Sequence, residues 1–103
     1  MEADIFKALA DPNRRIMLER LAAGELNATA LRQGFEISQP AMSQHIAVLR
    51  GAGLITERRE GRSVHYAVNP DGMAPLTDWL ARYQAFWPER LGRLRDFLKE
   101  MDQ

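Results

Sequence analysis

Hydrophobic residues along this chain fall first at helical spacing, then at strand spacing, then at helical spacing again. In "ADIFKALA", Ile5, Phe6 and Leu9 share one side, which predicts a short amphipathic helix. Asp11-Pro12 signals a second start, the aspartate as cap and the proline at the first helical position. That helix runs from Pro12 to about Ala23, with Ile16, Met17, Leu18 and Leu21 mostly buried, and Gly24 stops it. A third, short helix starts at Asn27 and ends near Gly34.

The fourth helix lies in "SQPAMSQHIAVLRGAGLI", Ser38 to Ile55. Ser38 is a good N-cap, and Pro40 falls in the first turn, where its missing N–H costs nothing. Gly51 and Gly53 bracket the end. Met42, Ile46 and Leu49 share one side and read as a buried stripe. The opposite side carries Pro40, Ala41, Gln44 and Val48, with His45 at its margin and neither Lys nor Glu. A solvated helix face is normally rich in both.

After Ile55 the period changes. "LITERRE" and "SVHYAVN" are rich in β-branched and aromatic residues, and Val64, Tyr66 and Val68 alternate with Ser63, His65 and Ala67. Glu60-Gly61-Arg62 reads as a hairpin tip, and Asn69-Pro70-Asp71-Gly72 as a loop. From about Met73 the pattern is helical almost to the end, with Leu76, Trp79, Leu80, Tyr83, Phe86, Trp87, Leu91, Leu94, Phe97, Leu98 and Met101 at mostly three- and four-residue steps. A small core covers only part of so long a face, so a second copy of the chain is expected to cover the rest. Pro88 would cost a straight helix ~3 kcal/mol, which predicts a kink or short break around Phe86 to Pro88.

Four helices, a hairpin and a last helix make a mainly α fold with a small β-hairpin: a winged helix-turn-helix of about five helices plus a two-stranded wing. With no linker, repeat or low-complexity tract, residues 1–103 form one domain. A helix that enters the DNA major groove needs small or hydrogen-bonding side chains outside, which accounts for the charge-poor face of the fourth helix. Gln44 could pair with an adenine edge, Pro40, Ala41 or Val48 could pack on a thymine methyl, and Ser43 or His45 could reach phosphate. Ser38, Gln39 and Arg50 complete the candidate surface on that helix. Arg58, Arg59 and Arg62 cluster around the hairpin tip, placed for backbone phosphates or the minor groove. Charged residues also blunt an exposed strand edge, and both roles can hold together.

Composition narrows this further. Formal net charge is zero, which argues against a general affinity for polyanions. Residues 38–65 nevertheless hold four arginines against two glutamates, a local excess suited to one contact face. Cysteine is absent, so disulfides, thiolate metal ligands and thiol redox sensing are excluded. The two histidines lie in different elements, no Gly-rich phosphate loop appears and no carboxylate pair has a shared context, so neither enzyme nor cofactor is expected. No apolar run is long enough to span a bilayer and the N-terminus lacks a signal-peptide pattern, which places the chain in the cytoplasm without a membrane partner.

"ALADPNRRIMLERLAAGEL" followed by "ISQPAMSQHIAVLRGAGLITERREGRSVHYAV" resembles the ArsR-type (arsenical-resistance repressor) winged-helix transcription regulators over roughly positions 5 to 70. The resemblance implies a homodimer built from the first and last helices, repressing transcription from a palindromic operator, with the helix from Ser38 as recognition helix. Ile5, Phe6, Trp79, Tyr83, Phe86, Trp87 and Leu94 are then the expected dimer interface. Many members sense metal through cysteines in an "ELCVCDL" stretch, where this chain has "ELNATAL", with Asn27 and Thr29 at the thiolate positions. The family's last-helix pattern, Asp-x-His with a later His-x-x-Glu, also fails: Leu80 follows Asp78 by two and no His occurs after His65. Metal sensing is therefore not expected, and a small-molecule inducer is left open. A winged helix serving only protein interaction or dimerisation, without DNA, is the other reading.

Overall fold

A computed structural model of the chain describes residues 2–83. Its elements run α1 (Glu2–Leu9), α2 (Pro12–Ala22), β1 (Leu26–Asn27), α3 (Ala28–Arg32), α4 (Gln39–Gly51), β2 (Ile55–Glu60), β3 (Ser63–Val68) and α5 (Pro70–Tyr83). The winged helix-turn-helix expected from the hydrophobic pattern is the fold observed. The starts of three helices rest on N-caps, two of them, Asp11 and Ser38, read as caps in the sequence and the third, Asn27, shown by the structure. Asp11 Oδ1 accepts from the N–H groups of Asn13 and Arg14 at 2.8 and 3.3 Å. Asn27 Oδ1 accepts from Ala30 N at 2.8 Å, and Ser38 Oγ from Ala41 N at 3.2 Å. Each bond satisfies an amide that the helix itself leaves without a partner.

Ile5, Met17, Leu31, Met42, Leu49 and Leu54 are the largest fully buried side chains, supplied by α1 to α4 and the turn after α4. Tyr66 and Ile55 close this core from the sheet. The sheet has three antiparallel strands in the order β1-β3-β2, one more than the hairpin the sequence predicts. Two residues are too short for any alternation to mark β1, and only its pairing of Leu26 with Tyr66 and Asn27 with His65 makes it a strand. In the wing, six residue pairs from Ile55↔Val68 to Glu60↔Ser63 close on Gly61, whose φ of 61° is in the left-handed region that favours glycine.

Several expectations need correction. Ile5, expected at a dimer interface, is 1% exposed in the chain's own core. It shares a helical face with Ala8, also buried, while Phe6 points outward and remains 38% exposed. Ile16 is 41% exposed, because Met17 and Leu21, one turn apart, occupy the line of α2 that faces the core. The segment Asn69–Gly72 is not a free loop: α5 already begins at Pro70. Proline is well suited to a first helical position, where its fixed φ is pre-organised and no donor is lost. The expected kink around Pro88, and the interface residues Phe86, Trp87 and Leu94, lie outside the described residues.

Candidate nucleic-acid interface

With Met42, Ile46 and Leu49 turned inward, α4 exposes Ser38, Gln39, Pro40, Ser43, Gln44 and Ala47. No charged side chain interrupts this surface before Arg50, so its outer aspect is short, polar and neutral. The exposed face is rotated slightly from the one read in the sequence. Ala41 and His45 are half-buried, and Val48 packs against the core. Helices α1 and α2 both pack on α4, and Arg14 of α2 reaches across to it. Arg14 Nη1 lies 3.1 Å from His45 Nδ1. A guanidinium can only donate, so His45 Nδ1 is the acceptor and Nε2 carries the ring proton. Ala47, which the hydrophobic pattern did not single out, occupies the position expected of Val48.

Beside this face runs a groove of about 490 Å³ between α3, α4 and the sheet, lined among others by Thr29, Arg32, Gln39, Ser43, Arg50 and Tyr66. Hydroxyl, amide and guanidinium groups on one concave surface match what holds a nucleic-acid backbone. Arg50 pairs with Glu57 at 2.9 Å, and Tyr66 donates its hydroxyl proton to the same carboxylate at 3.1 Å. Burial and that hydrogen bond both push the Tyr66 phenol above its ordinary value, so it stays a donor. Thr29 and Arg32 carried no signal of their own in the sequence. Only the packing of α3 against α2 and the sheet brings them to this groove.

The wing arginines fall on two faces of the hairpin. Arg59 stands opposite Val64 on the side of Tyr66, whereas Arg58 stands opposite His65 on the other. Arg58 is held by Glu25 at 2.5 Å and by Glu60 at 2.6 Å. Arg59 and Arg62, both exposed, make no ion pair or side-chain hydrogen bond among the described residues. Among the described residues no group of three or more His, Asp or Glu side chains could hold a metal ion. Asn27, at one of the positions where thiolates would stand, spends its side-chain oxygen capping α3.

Comparison with known proteins points the same way. Residues 9–58 match a helix-turn-helix domain family. The transcriptional repressor SdpR of Bacillus subtilis is 31% identical over 80 residues, covering 78% of this chain and 89% of that protein. An HTH-type transcriptional regulator of Mycobacterium tuberculosis is 41% identical over 86 residues, covering 84% of this chain and 78% of that protein. The crystal structure of an ArsR family transcriptional regulator superposes with a TM-score of 0.76 at 34% identity, covering 84% of this chain and 94% of the other. The chain belongs to the ArsR-type winged-helix transcription regulators. As a member, it is a DNA-binding transcription regulator built on this helix-turn-helix. Among the described residues no helix is long and apolar enough to cross a membrane.

The residues expected at a dimer interface gather only in part. Phe6 of α1 meets Trp79 of α5 edge-on, with ring centroids 4.9 Å apart, and Trp79 meets Tyr83 at 4.7 Å. Leu80 beside them is 44% exposed. These side chains form an aromatic and aliphatic patch on α1 and α5.

Proposed function

We propose that the chain acts as a homodimeric repressor on a palindromic operator and does so without sensing metal. The observation that carries the DNA-reading half is the neutral face of Gln39, Pro40, Ser43, Gln44 and Ala47 on α4, together with the exposed cations Arg59 and Arg62 on the wing. A neutral, short face admits the helix to the major groove, and Gln44 can pair bidentately with an adenine edge there. The wing cations then neutralise phosphates at one side, and Thr29, Ser43 and Arg32 line the track of the backbone between them.

Gln44→Ala is expected to cost about 1–3 kcal/mol on the preferred site and to relax preference at one position per half-site. Arg62→Ala is expected instead to weaken binding to every sequence and to lower the salt slope by about 1. Titrating both variants with operator and scrambled duplexes at several salt concentrations separates the roles. Equal losses on both duplexes for Gln44→Ala would remove the base-reading assignment. A wild-type chain that shifts no duplex from its own promoter region would leave only a protein-interaction role.

Dimerisation is supported by the exposed patch of Phe6, Leu80 and Tyr83, since apolar side chains grouped on one face gain by mutual burial. Two-fold symmetry would set the recognition helices about 34 Å apart, one turn of DNA, and so require an inverted repeat. Leu80→Glu is expected to shift sedimentation toward monomer while leaving the circular dichroism of the fold intact. A variant that sediments as wild type would move the interface elsewhere. Metal independence rests on the lack of cysteine and on Asn27 being engaged as a helix cap. Zinc, nickel or cobalt added during operator titration is expected to leave affinity unchanged, and metal-driven release of DNA at one equivalent would refute it.

A further inference from the structure

The solvent side of the wing carries a cluster of charges bound to one another. Arg58 of β2 stands directly opposite His65 of β3, which is in turn opposite Asn27 of β1. Arg58 Nη2 donates to Glu25 Oε1 at 2.5 Å and Nη1 donates to Glu60 Oε2 at 2.6 Å. His65 extends the cluster, with Nδ1 3.6 Å from Glu25 Oε1 and Nε2 3.9 Å from Glu60 Oε2. Glu25 comes from the turn before β1 and Glu60 from the hairpin tip, so two separate segments close on one guanidinium. Arg58 holds the Glu60 carboxyl below the usual carboxylate range, which keeps that partner ionised. Arg59 and Arg62 on the same hairpin have no such partners among the described residues.

We propose that Glu25 and Glu60 withhold Arg58 from DNA, so that it positions the wing instead of contacting phosphate and thereby limits sequence-independent affinity. Affinity for any duplex grows with the number of phosphates that free cations neutralise. Arg58 would have to break two charge-assisted hydrogen bonds before it could add to that number. Its present bonds tie the tip of the hairpin to the turn before β1, which fixes the wing on which Arg59 and Arg62 are carried. Keeping one cation out of the count lowers binding to all sequences by a similar factor, and base reading by α4 is left as it was. The inference rests on the reading that the wing meets DNA.

The test is the dependence of binding on salt for specific and scrambled duplexes, with each variant's fold checked by circular dichroism. Arg58→Ala is expected to leave the salt slope at the wild-type value, while Arg62→Ala lowers it by about 1. Neutralising both carboxylates with Glu25→Gln and Glu60→Gln is expected to raise affinity for both duplexes and to steepen the slope by about 1 on each. Adding Arg58→Ala to that pair is expected to abolish the steepening. Loss of two acids favours DNA at a distance whether or not Arg58 is present, so only the Arg58-dependent part reports a released cation. A slope lowered by about 1 in Arg58→Ala alone, or a triple variant whose slope is as steep as that of the double variant, overturns the proposal and leaves DNA binding by the wing intact. A wild-type chain that binds neither duplex overturns both.

Discussion

Replacing Gly72 with alanine is expected to lower stability by roughly 2–3 kcal/mol, because the new methyl group would collide with the backbone carbonyl of Gly53. Gly72 lies in the first turn of α5, where that helix crosses the chain leaving α4. The junction is closed by backbone and side-chain bonds that leave little room to shift. Asn69 N donates to Leu54 O at 2.9 Å, Asn69 Nδ2 donates to Gly53 O at 3.0 Å, and Gly72 N donates to Asn69 O at 3.0 Å. A flexible side chain could move aside, but a carbonyl held this way moves only with the backbone. Gly51 supplies the contrast, since a methyl group added there meets nothing within 4 Å. Gly51→Ala, at the end of α4, is expected to stabilise by roughly 0.5 kcal/mol through the lower entropy of the unfolded chain. Urea unfolding of the two variants checks the opposite signs. Equal stability of Gly72→Ala and wild type would mean that α5 moves freely away from α4.

Arg14→Ala is expected to cost about 2–3 kcal/mol, since one side chain satisfies acceptors from two other helices. Arg14 Nε donates to Ala8 O at 2.6 Å and Nη2 to Lys7 O at 3.0 Å, both carbonyls at the C-terminal end of α1. Nη1 reaches His45 on α4 at the same time. A cation placed where the helix dipole is negative strengthens the first two bonds. Removing it leaves the Ala8 carbonyl, under a residue with no exposed surface, short of a donor. Arg14→Lys is expected to recover only part of the loss, because one ammonium cannot span the three acceptors that the guanidinium fork reaches. Denaturant midpoints of the two variants, with operator affinity measured alongside, check both the stability and the link to α4. A lysine variant as stable as wild type would show that a point charge suffices and that the His45 contact is dispensable.

The helix starts were legible at Asp11 and Ser38, since an N-cap works through amides two or three residues away and carries its chemistry in a short segment. The wing was legible for a similar reason, as alternation along "SVHYAV" and a glycine at the tip are local features. Legibility failed where a partner lies far along the chain. The start of α5 at Pro70 is hidden because Asn-Pro-Asp-Gly has the composition of a turn, and the approach of Gly72 to Gly53 cannot be seen from composition. Ile5 and Phe6 are neighbours of like hydrophobicity, yet one is core and the other surface. Their fates divide on about 100° of helix rotation relative to α4, a quantity set by packing.

The charged residues mark the same boundary most clearly. The sequence by itself determined the order of helices and wing, the caps at Asp11 and Ser38, the neutral face of the helix from Ser38 and the local excess of arginine in residues 38–65, but not β1. What each arginine does was decided only by the tertiary structure. Arg14 and Arg15 of α2 donate to the final carbonyls of α1, and Arg20 donates to Leu31 O and Gln33 O at the end of α3 while lying 4.5 Å from the centre of the Phe35 ring. In the sequence these three are indistinguishable from solvated charges, and Arg58 is indistinguishable from Arg59 and Arg62. Caps and periodicity act within a few residues of the chain, so they are written locally. A guanidinium reaches several ångströms in any direction, and whether it finds a carbonyl, a carboxylate or open solvent depends on which segments the fold brings beside it.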